Sequence, residues 1–303
     1  MSRAFITGVS GFAGRHLARR LLAGGWEVSG ITRDAPCDVP GVIEHRLEID
    51  DGAAVAAAMG SARPDVVYHL AAVVDTVTTP DVLELHRTNI LGTAAVLEAA
   101  AAVGATRVLV ASSAFAYGRT SAELQPVPED APLVPLTPYG SSKVAAEVLA
   151  LQWSRATGID VIVTRSFQHT GPGHVGAYAL PEWAGQLASG TGEIRVGNLE
   201  VVRDYLDVRD TVAAYQALVE EAPAGVYNVG SGVPRSMREL LDGLIAAFGS
   251  DARVVVDPSR FRPVDQPVFV ADVTRLRTAT AWAPQLSIEE TLRDLAAFYR
   301  HGR

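Results

Sequence analysis

Ala4-Phe5-Ile6-Thr7-Gly8-Val9-Ser10-Gly11-Phe12-Ala13-Gly14 is the stretch that decides the fold. An apolar run at the very start reads as a buried strand. Three glycines then follow at spacings of three, and a helical period opens at His16–Ala23. Strand, glycine turn and helix in that order form a phosphate-binding turn. The glycines permit a tight bend, close backbone approach to a pyrophosphate and close seating of helix on strand. The helix start adds free amides and the positive end of its dipole.

Working outward, the same alternation recurs. Val28–Thr32, Val42–Leu47, Val66–Leu70, Val108–Ser112 and Ile159–Thr164 are further strand candidates, rich in Val, Ile and Leu. Helical periods lie between them at Gly52–Met59, at Ile90–Val103 and from about Pro138. Continuous apolar strands alternating with helices predict a Rossmann-like α/β fold, a doubly wound parallel sheet covered on both faces. After residue 166 the rhythm loosens into glycine- and proline-marked turns. It resumes with helices over 209–221, 236–248 and 288–300 and a strand at Val226–Val229, while 257–267 reads as a loop. The expected division is a dinucleotide-binding domain over 1–166, to which a segment at about 203–230 returns. Residues 167–303 are expected to build mainly a smaller substrate-binding lobe.

Composition narrows the partners. The chain has 303 residues, is 48% apolar and 20% charged, and carries a formal charge of −8. That balance suits a globular enzyme and argues against nucleic acid or an anionic membrane as partner. The single cysteine, Cys37, excludes an intrachain disulfide and a cysteine-based zinc site. No His, Asp and Glu grouping has metal-ligand spacing, so no metal is expected. The start leads straight into a strand rather than a basic and then apolar leader, and a cytoplasmic protein is expected.

The chemistry-bearing motif is Pro138-Tyr139-Gly-Ser-Ser-Lys143. Proline favours a first helical position, and Tyr139 and Lys143, four apart, share one helix face. A neighbouring ammonium and an oxidised nicotinamide would both favour the phenolate and lower the pKa of the phenol. Such a tyrosine can exchange a proton with a carbonyl or alcohol oxygen during hydride transfer. Ala111-Ser112-Ser113-Ala114 ends a predicted strand, where open α/β sheets bind ligands. Of its two serines, Ser113 is the candidate to hold the substrate oxygen.

Cofactor choice stays open between two forms. NAD sites usually carry an acid at the end of the second strand, but here Gly30-Ile31-Thr32-Arg33 precedes the first carboxylate, Asp34. Arg33 could pair with a 2′-phosphate, which favours NADP(H) and leaves NAD(H) as the alternative.

Thr7-Gly8-x-x-Gly11-Phe12-x-Gly14, His69-Leu70-Ala71-Ala72, Asn89-x-x-Gly92-Thr93, Ser112-Ser113-x-x-x-Tyr117-Gly118 and Tyr139-x-x-x-Lys143 together resemble the extended short-chain dehydrogenase/reductases. That family acts mainly on nucleotide sugars, and the likeness runs nearly the whole length. The resemblance implies Ser113, Tyr139 and Lys143 as catalytic residues, Lys143 also holding the nicotinamide ribose. It implies a dinucleotide lined by Gly8, Ser10, Gly11, Phe12, Ala13, Gly14, Arg33, Glu48, Ile49, Leu70, Ala71, Ala72 and Ser166. Asn89 would be structural or next to the ribose. Family dehydratases carry acids just after the catalytic serine or threonine. Ala114 and Phe115 cannot transfer a proton, which argues against dehydration.

The C-terminal half is most similar to the GDP-4-keto-6-deoxy-D-mannose reductases, through Arg165-Ser-Phe-Gln-His-Thr-Gly-Pro-Gly173, Arg203-Asp-Tyr-Leu-Asp-Val-Arg-Asp210 and Asp257-Pro-Ser-Arg-Phe-Arg-Pro263. This likeness implies Arg203 and Arg262 at the nucleotide diphosphate, with Ser113, Phe115 and Gln168 also at the substrate. Gln168 stands where the family usually has asparagine. Val73-Val74-Asp75-Thr76 lacks the usual polar element near the sugar. The expected activity is reduction of the C4 ketone of a nucleotide-linked 4-keto-6-deoxy sugar, with 4-epimerisation on retained NAD as the alternative. A non-catalytic nucleotide-binding protein would be expected to lack one of the three catalytic side chains. The resemblance further implies a homodimer.

Overall fold

The computed structural model describes residues 2–74, 81–261 and 266–301. In the first half, β1 (Arg3–Thr7), α1 (Phe12–Ala23), β2 (Glu27–Thr32), β3 (Val42–Arg46), α2 (Gly52–Ala62) and β4 (Val66–His69) follow in order. Then come α3 (Val82–His86), a π-helical turn (Arg87–Leu91), α4 (Gly92–Ala102), β5 (Arg107–Ala111), α5 (Pro138–Thr157) and β6 (Asp160–Ser166). The second half runs β7 (Gln168–Thr170), α6 (Ala179–Ala188), β8 (Glu193–Val196), β9 (Val202–Asp207), α7 (Val208–Glu221) and β10 (Gly225–Val229). It ends with β11 (Pro234–Ser236), α8 (Met237–Phe248), β12 (Arg253–Val256), β13 (Val268–Phe269), α9 (Thr274–Ala279) and α10 (Ile288–Arg300).

Seven strands form one sheet in the order β10-β6-β5-β4-β1-β2-β3, every pair parallel. Strand order reverses between β1 and β4, and a crevice opens at their carboxyl ends, the usual ligand position in such sheets. Alternate residues feed opposite faces. Ile6, Leu109 and Ile162 pack with Leu17 and Leu21 of α1 and Tyr215 and Leu218 of α7. Phe5, Val108 and Val163 pack with Met59 of α2, Val96 of α4 and Ala150 of α5. The Rossmann-like reading therefore holds, strand for strand, in the first 166 residues.

The smaller lobe has its own core, in which Leu180 and Trp183 meet Leu240, Leu244, Leu292 and Leu295. Capping boxes, Ser236 with Glu239 and Ser287 with Glu290, start two of its helices. The returning segment differs from expectation. Strand β9 hydrogen-bonds with β7, β11 and β13 in a separate four-stranded sheet, and α7 with β10 makes the return. The α6 helix lies in the stretch after residue 166 where no helix was expected before residue 209. Its proline sits in the first turn, where no helical hydrogen bond is lost. Among the described residues, no helix is long and apolar enough to cross a membrane.

Candidate active site

The glycine turn is closed by backbone contacts. Gly8 takes φ +71°, a left-handed conformation, and its N–H donates to Ile31 O (3.1 Å). Gly11 N donates to Gly8 O (2.9 Å) and stands as the N-cap of α1 without any side-chain cap. The first amides of α1, at Phe12, Ala13 and Gly14, are thus left for a ligand. A Cβ on Gly14 would lie 2.9 Å from Val9 Cα, and one on Gly8 3.0 Å from the Ala71 backbone. The cradle therefore fits a pyrophosphate laid against bare backbone, with Ser10 on the same turn and Leu70–Ala72 forming its other wall.

Behind that wall, one chain of hydrogen bonds sets a tautomer. Thr93 donates to Asn89 O (2.7 Å), so its oxygen accepts from His69 Nε2 (2.9 Å). His69 Nδ1 then accepts from the Thr7 hydroxyl (2.8 Å), whose oxygen takes the Ala71 N–H (3.1 Å). Burial, with the Lys143 charge nearby, pushes His69 down to about 3, so the ring is neutral. Its work is to tie β1, β4 and α4 together. Asn89, in the π-helical turn, holds the Val73 main chain through both ends of its amide (2.8 and 2.9 Å). It also donates to Ser142 Oγ (2.9 Å), which anchors α5.

Helix α5 starts on a Thr137 cap, whose side chain accepts from Gly140 N (3.0 Å), followed by Pro138 at the first position. That start aims Tyr139 and Lys143 at the end of β5. Tyr139 hydrogen-bonds with Ser113. Lys143 Nζ donates to Ala111 O (2.8 Å) and lies 5.7 Å from the centre of the Tyr139 ring. The structure thus brings Ser113, Tyr139 and Lys143 together. Burial pushes Tyr139 above the usual phenol range, and the ammonium is turned to a carbonyl. Burial also takes Lys143 down to about 8, opposed by the nearby Glu147 charge. A signal in composition marks this position. The chain has 26 basic residues, and Lys143 is its only lysine.

Other expected residues are placed as follows. The Phe115 ring meets Tyr139 edge to face at 6.1 Å, and its N–H donates to Ser113 Oγ (3.2 Å). Ile49 is buried and supports Gly92, with Glu48 just before it. Ser166 shares a hydrogen bond with Tyr215 OH (2.7 Å). Gln168, opening β7, has a buried Oε1 with no hydrogen-bond partner, a group that a ligand amide or hydroxyl would satisfy. Arg203 donates to Val202 O (2.7 Å) and Gln266 O (2.8 Å), on the second sheet. Arg262 lies outside the described residues. Arg33 pairs with Asp34 (2.7 Å), and Arg46 reaches the Arg33 and Asp34 carbonyls (3.0 and 3.4 Å). Two guanidinium groups therefore stand at the end of β2 where the sequence suggested one. Register made the second: Thr32 pairs with Arg46 across β2 and β3.

The loop after β7 reaches back to the cradle. Phe12, at the start of α1, lies parallel to the rings of His174 (4.4 Å) and His169 (5.9 Å). His16 on α1 adds a hydrogen bond to Pro172 O (2.9 Å). Together His16, His169 and His174 tie the start of α1 to the loop after β7.

A parallel sheet with its glycine cradle at the switch point, and Ser, Tyr and Lys converging beside it, define the short-chain dehydrogenase/reductase class. The chain belongs to the GDP-mannose 4,6-dehydratase family, which it matches over residues 5–295. It is 35% identical to a GDP-6-deoxy-D-mannose reductase of Pseudomonas aeruginosa, across 97% of this chain and 95% of the relative. It is 30% identical to a UDP-glucose 4-epimerase of Mycolicibacterium smegmatis, across 99% of each chain. The solved structure of RMD from Pseudomonas aeruginosa complexed with NADPH superimposes with a TM-score of 0.86, at 32% identity and 99% coverage of both chains.

Proposed function

We propose that this protein is an NADPH-dependent reductase of the C4 ketone of a nucleotide-linked 4-keto-6-deoxy sugar. The observation that carries the reading is the convergence of Ser113, Tyr139 and the lone ammonium of Lys143 at the end of β5, with Lys143 Nζ on the Ala111 carbonyl and 5.7 Å from the Tyr139 ring centre. When bound on the glycine cradle, the nicotinamide dinucleotide supplies the hydride. Ser113 holds the ketone oxygen, Tyr139 gives it a proton, and Lys143 stabilises the phenolate left behind. A phenol kept neutral by burial is the correct state for donating that proton.

The family is named for a dehydratase, but Ala114 and Phe115 offer no acid beside Ser113, so no dehydration step is derived. The 35% identity to a reductase supports the net-reduction reading. Arg33 and Arg46 favour NADPH, with NADH the alternative. Gln168, Arg203 and Arg262 are assigned to the nucleotide-sugar side. A second reading, 4-epimerisation, is supported by the 30% identity to an epimerase.

The deciding experiment incubates the protein with NADPH or NADH and a panel of GDP- and dTDP-4-keto-6-deoxy sugars. Oxidation of cofactor with a 4-hydroxyl product supports the reductase, and silence across the panel sinks it. Tightly bound NAD in the purified protein, with interconversion of C4 epimers, would instead establish the epimerase.

We also assign a homodimer built on α5. Leu83 of α3, Leu91 of the π-helical turn and Val148 of α5 are 77%, 58% and 61% exposed on elements that pack together. Exposed apolar side chains on three elements that pack together support an interface on this face. The acidic surface, with 34 acids against 26 bases, and the absence of a membrane-length helix among the described residues suit a cytosolic enzyme without nucleic-acid partners.

A further inference from the structure

Three successive residues at the end of β5 grip three successive turns of α5. Ser113 meets Tyr139, the Ala111 carbonyl takes Lys143, and the Ser112 hydroxyl donates to Glu147. Tyr139, Lys143 and Glu147 are spaced by four, so one helix face carries all three. Glu147 is buried, as are its partners. Arg165 of β6 binds it from the far side, Nε reaching both carboxylate oxygens (3.1 Å each) and Nη2 reaching Oε2 (2.8 Å). Arg165 in turn donates to Glu129 O (2.8 Å) and lies over the Tyr117 ring (4.8 Å).

We propose that Glu147 is a positioning residue for the proton transfer: its carboxylate fixes Ser112, hence the main chain of Ser113, and keeps the buried Lys143 ammonium charged. This inference rests on the reductase reading for its kinetic part only. The charges around Lys143 support it from each neighbouring element. Tyr139, on its own helix, is neutral, and His69 at the end of β4 is neutral. Arg165 on β6 is cationic and stands beyond Glu147. Glu147 is thus the anion that opposes burial of the ammonium, which settles at about 8.

The sign follows from that geometry. Without the carboxylate, burial acts on Lys143 unopposed, and the amine loses its proton at a lower pH. Because Lys143 is the only lysine, lysine labelled with 15N at Nζ gives one side-chain signal. Titrating that signal in the intact 303-residue chain reads the effect directly. In Glu147→Gln it should titrate about one unit below wild type. The alkaline limb of kcat/KM for NADPH-driven reduction should move down with it.

Should that variant fold poorly, Glu147→Gln combined with Arg165→Gln removes the guanidinium that would otherwise lose its carboxylate partner. It carries the same prediction of a fall. An unchanged or raised Lys143 titration in either folded protein overturns the proposal, as does uniform loss of rate at every pH without a shift. The NMR titration needs no substrate. A shifted lysine in a protein that reduces nothing in the panel therefore sinks the reductase reading and leaves the positioning role standing.

Discussion

One substitution, made at two glycines, should give opposite results. Gly14 lies in α1 and Gly60 in α2, so alanine at either position gains about 0.5–1 kcal/mol from reduced backbone freedom. At Gly60 the added Cβ meets nothing within 4 Å, and that gain should appear as added stability. At Gly14 it meets Val9 Cα at 2.9 Å and the Gly8 carbonyl carbon at 3.0 Å, with Gly8 O nearer still. Carbon contacts settle at about 3.5–4.0 Å, so the turn must retreat by roughly half an ångström or more. These are backbone atoms, and no rotamer change relieves them. Overfilling of this kind costs about 1–3 kcal/mol, more than the helix gains.

The retreat moves the amides that would hold the pyrophosphate, so dinucleotide binding bears much of that cost. A loss of about 1–3 kcal/mol is roughly a 5- to 150-fold weaker Kd for NADPH. Fluorescence titration with NADPH, together with thermal melts in its presence and absence, measures both effects. A Gly14→Ala protein that binds NADPH within about twofold of wild type would refute the cradle argument. Gly60→Ala separates this steric effect from any general cost of alanine in a helix.

Further expectations follow from the same geometry. Tyr139→Phe should keep the NADPH Kd and lower kcat by about 10²–10⁴, the usual share of a general acid, measured by single-turnover reduction. Arg33→Ala with Arg46→Ala should raise KM for NADPH and leave that for NADH nearly unchanged; equal effects on both cofactors would remove the 2′-phosphate assignment. His69 and His174 are both held near 3 by burial, below their unfolded value of about 6.5. Their contribution to stability is therefore complete above pH 6.5 and is lost as pH falls towards 3, with a slope of about 2.7 kcal/mol per unit from the two together. Urea midpoints from pH 7 to 4.5 test this, and a flat profile contradicts the neutral assignment. Val148→Asp with Leu91→Asp should halve the particle mass in sedimentation while leaving the fold intact by circular dichroism.

Much of this molecule could be read from short-range pattern. The strand, glycine turn and helix at residues 4–23 are contiguous, and Tyr139 and Lys143 lie one helical turn apart, so their signals survive in one dimension. What escaped were features whose partners are distant in the chain. Strand β13 has two residues and exists through pairing with β9, some 65 residues earlier. Arg46 joined Arg33 only through the register of β2 on β3. Glu147 carried a signal, since it stands four residues beyond Lys143, but its role needed Ser112 and Arg165, each brought by a different strand.

The sequence by itself determined the class of fold, and it picked out the glycine turn and Ser113, Tyr139 and Lys143 as candidates. The fold and the turn are set by local periodicity, and the Tyr139–Lys143 pair by a spacing of one helical turn. Tertiary structure alone decided the charge states. It turned Lys143 to the Ala111 carbonyl, set the half-buried Tyr139 beside Ser113 where desolvation favours the neutral phenol, and placed Glu147 and Arg165 as a buried pair behind them. Those outcomes depend on water being excluded by chain segments far apart in sequence, and desolvation is a property of the assembled core rather than of any motif.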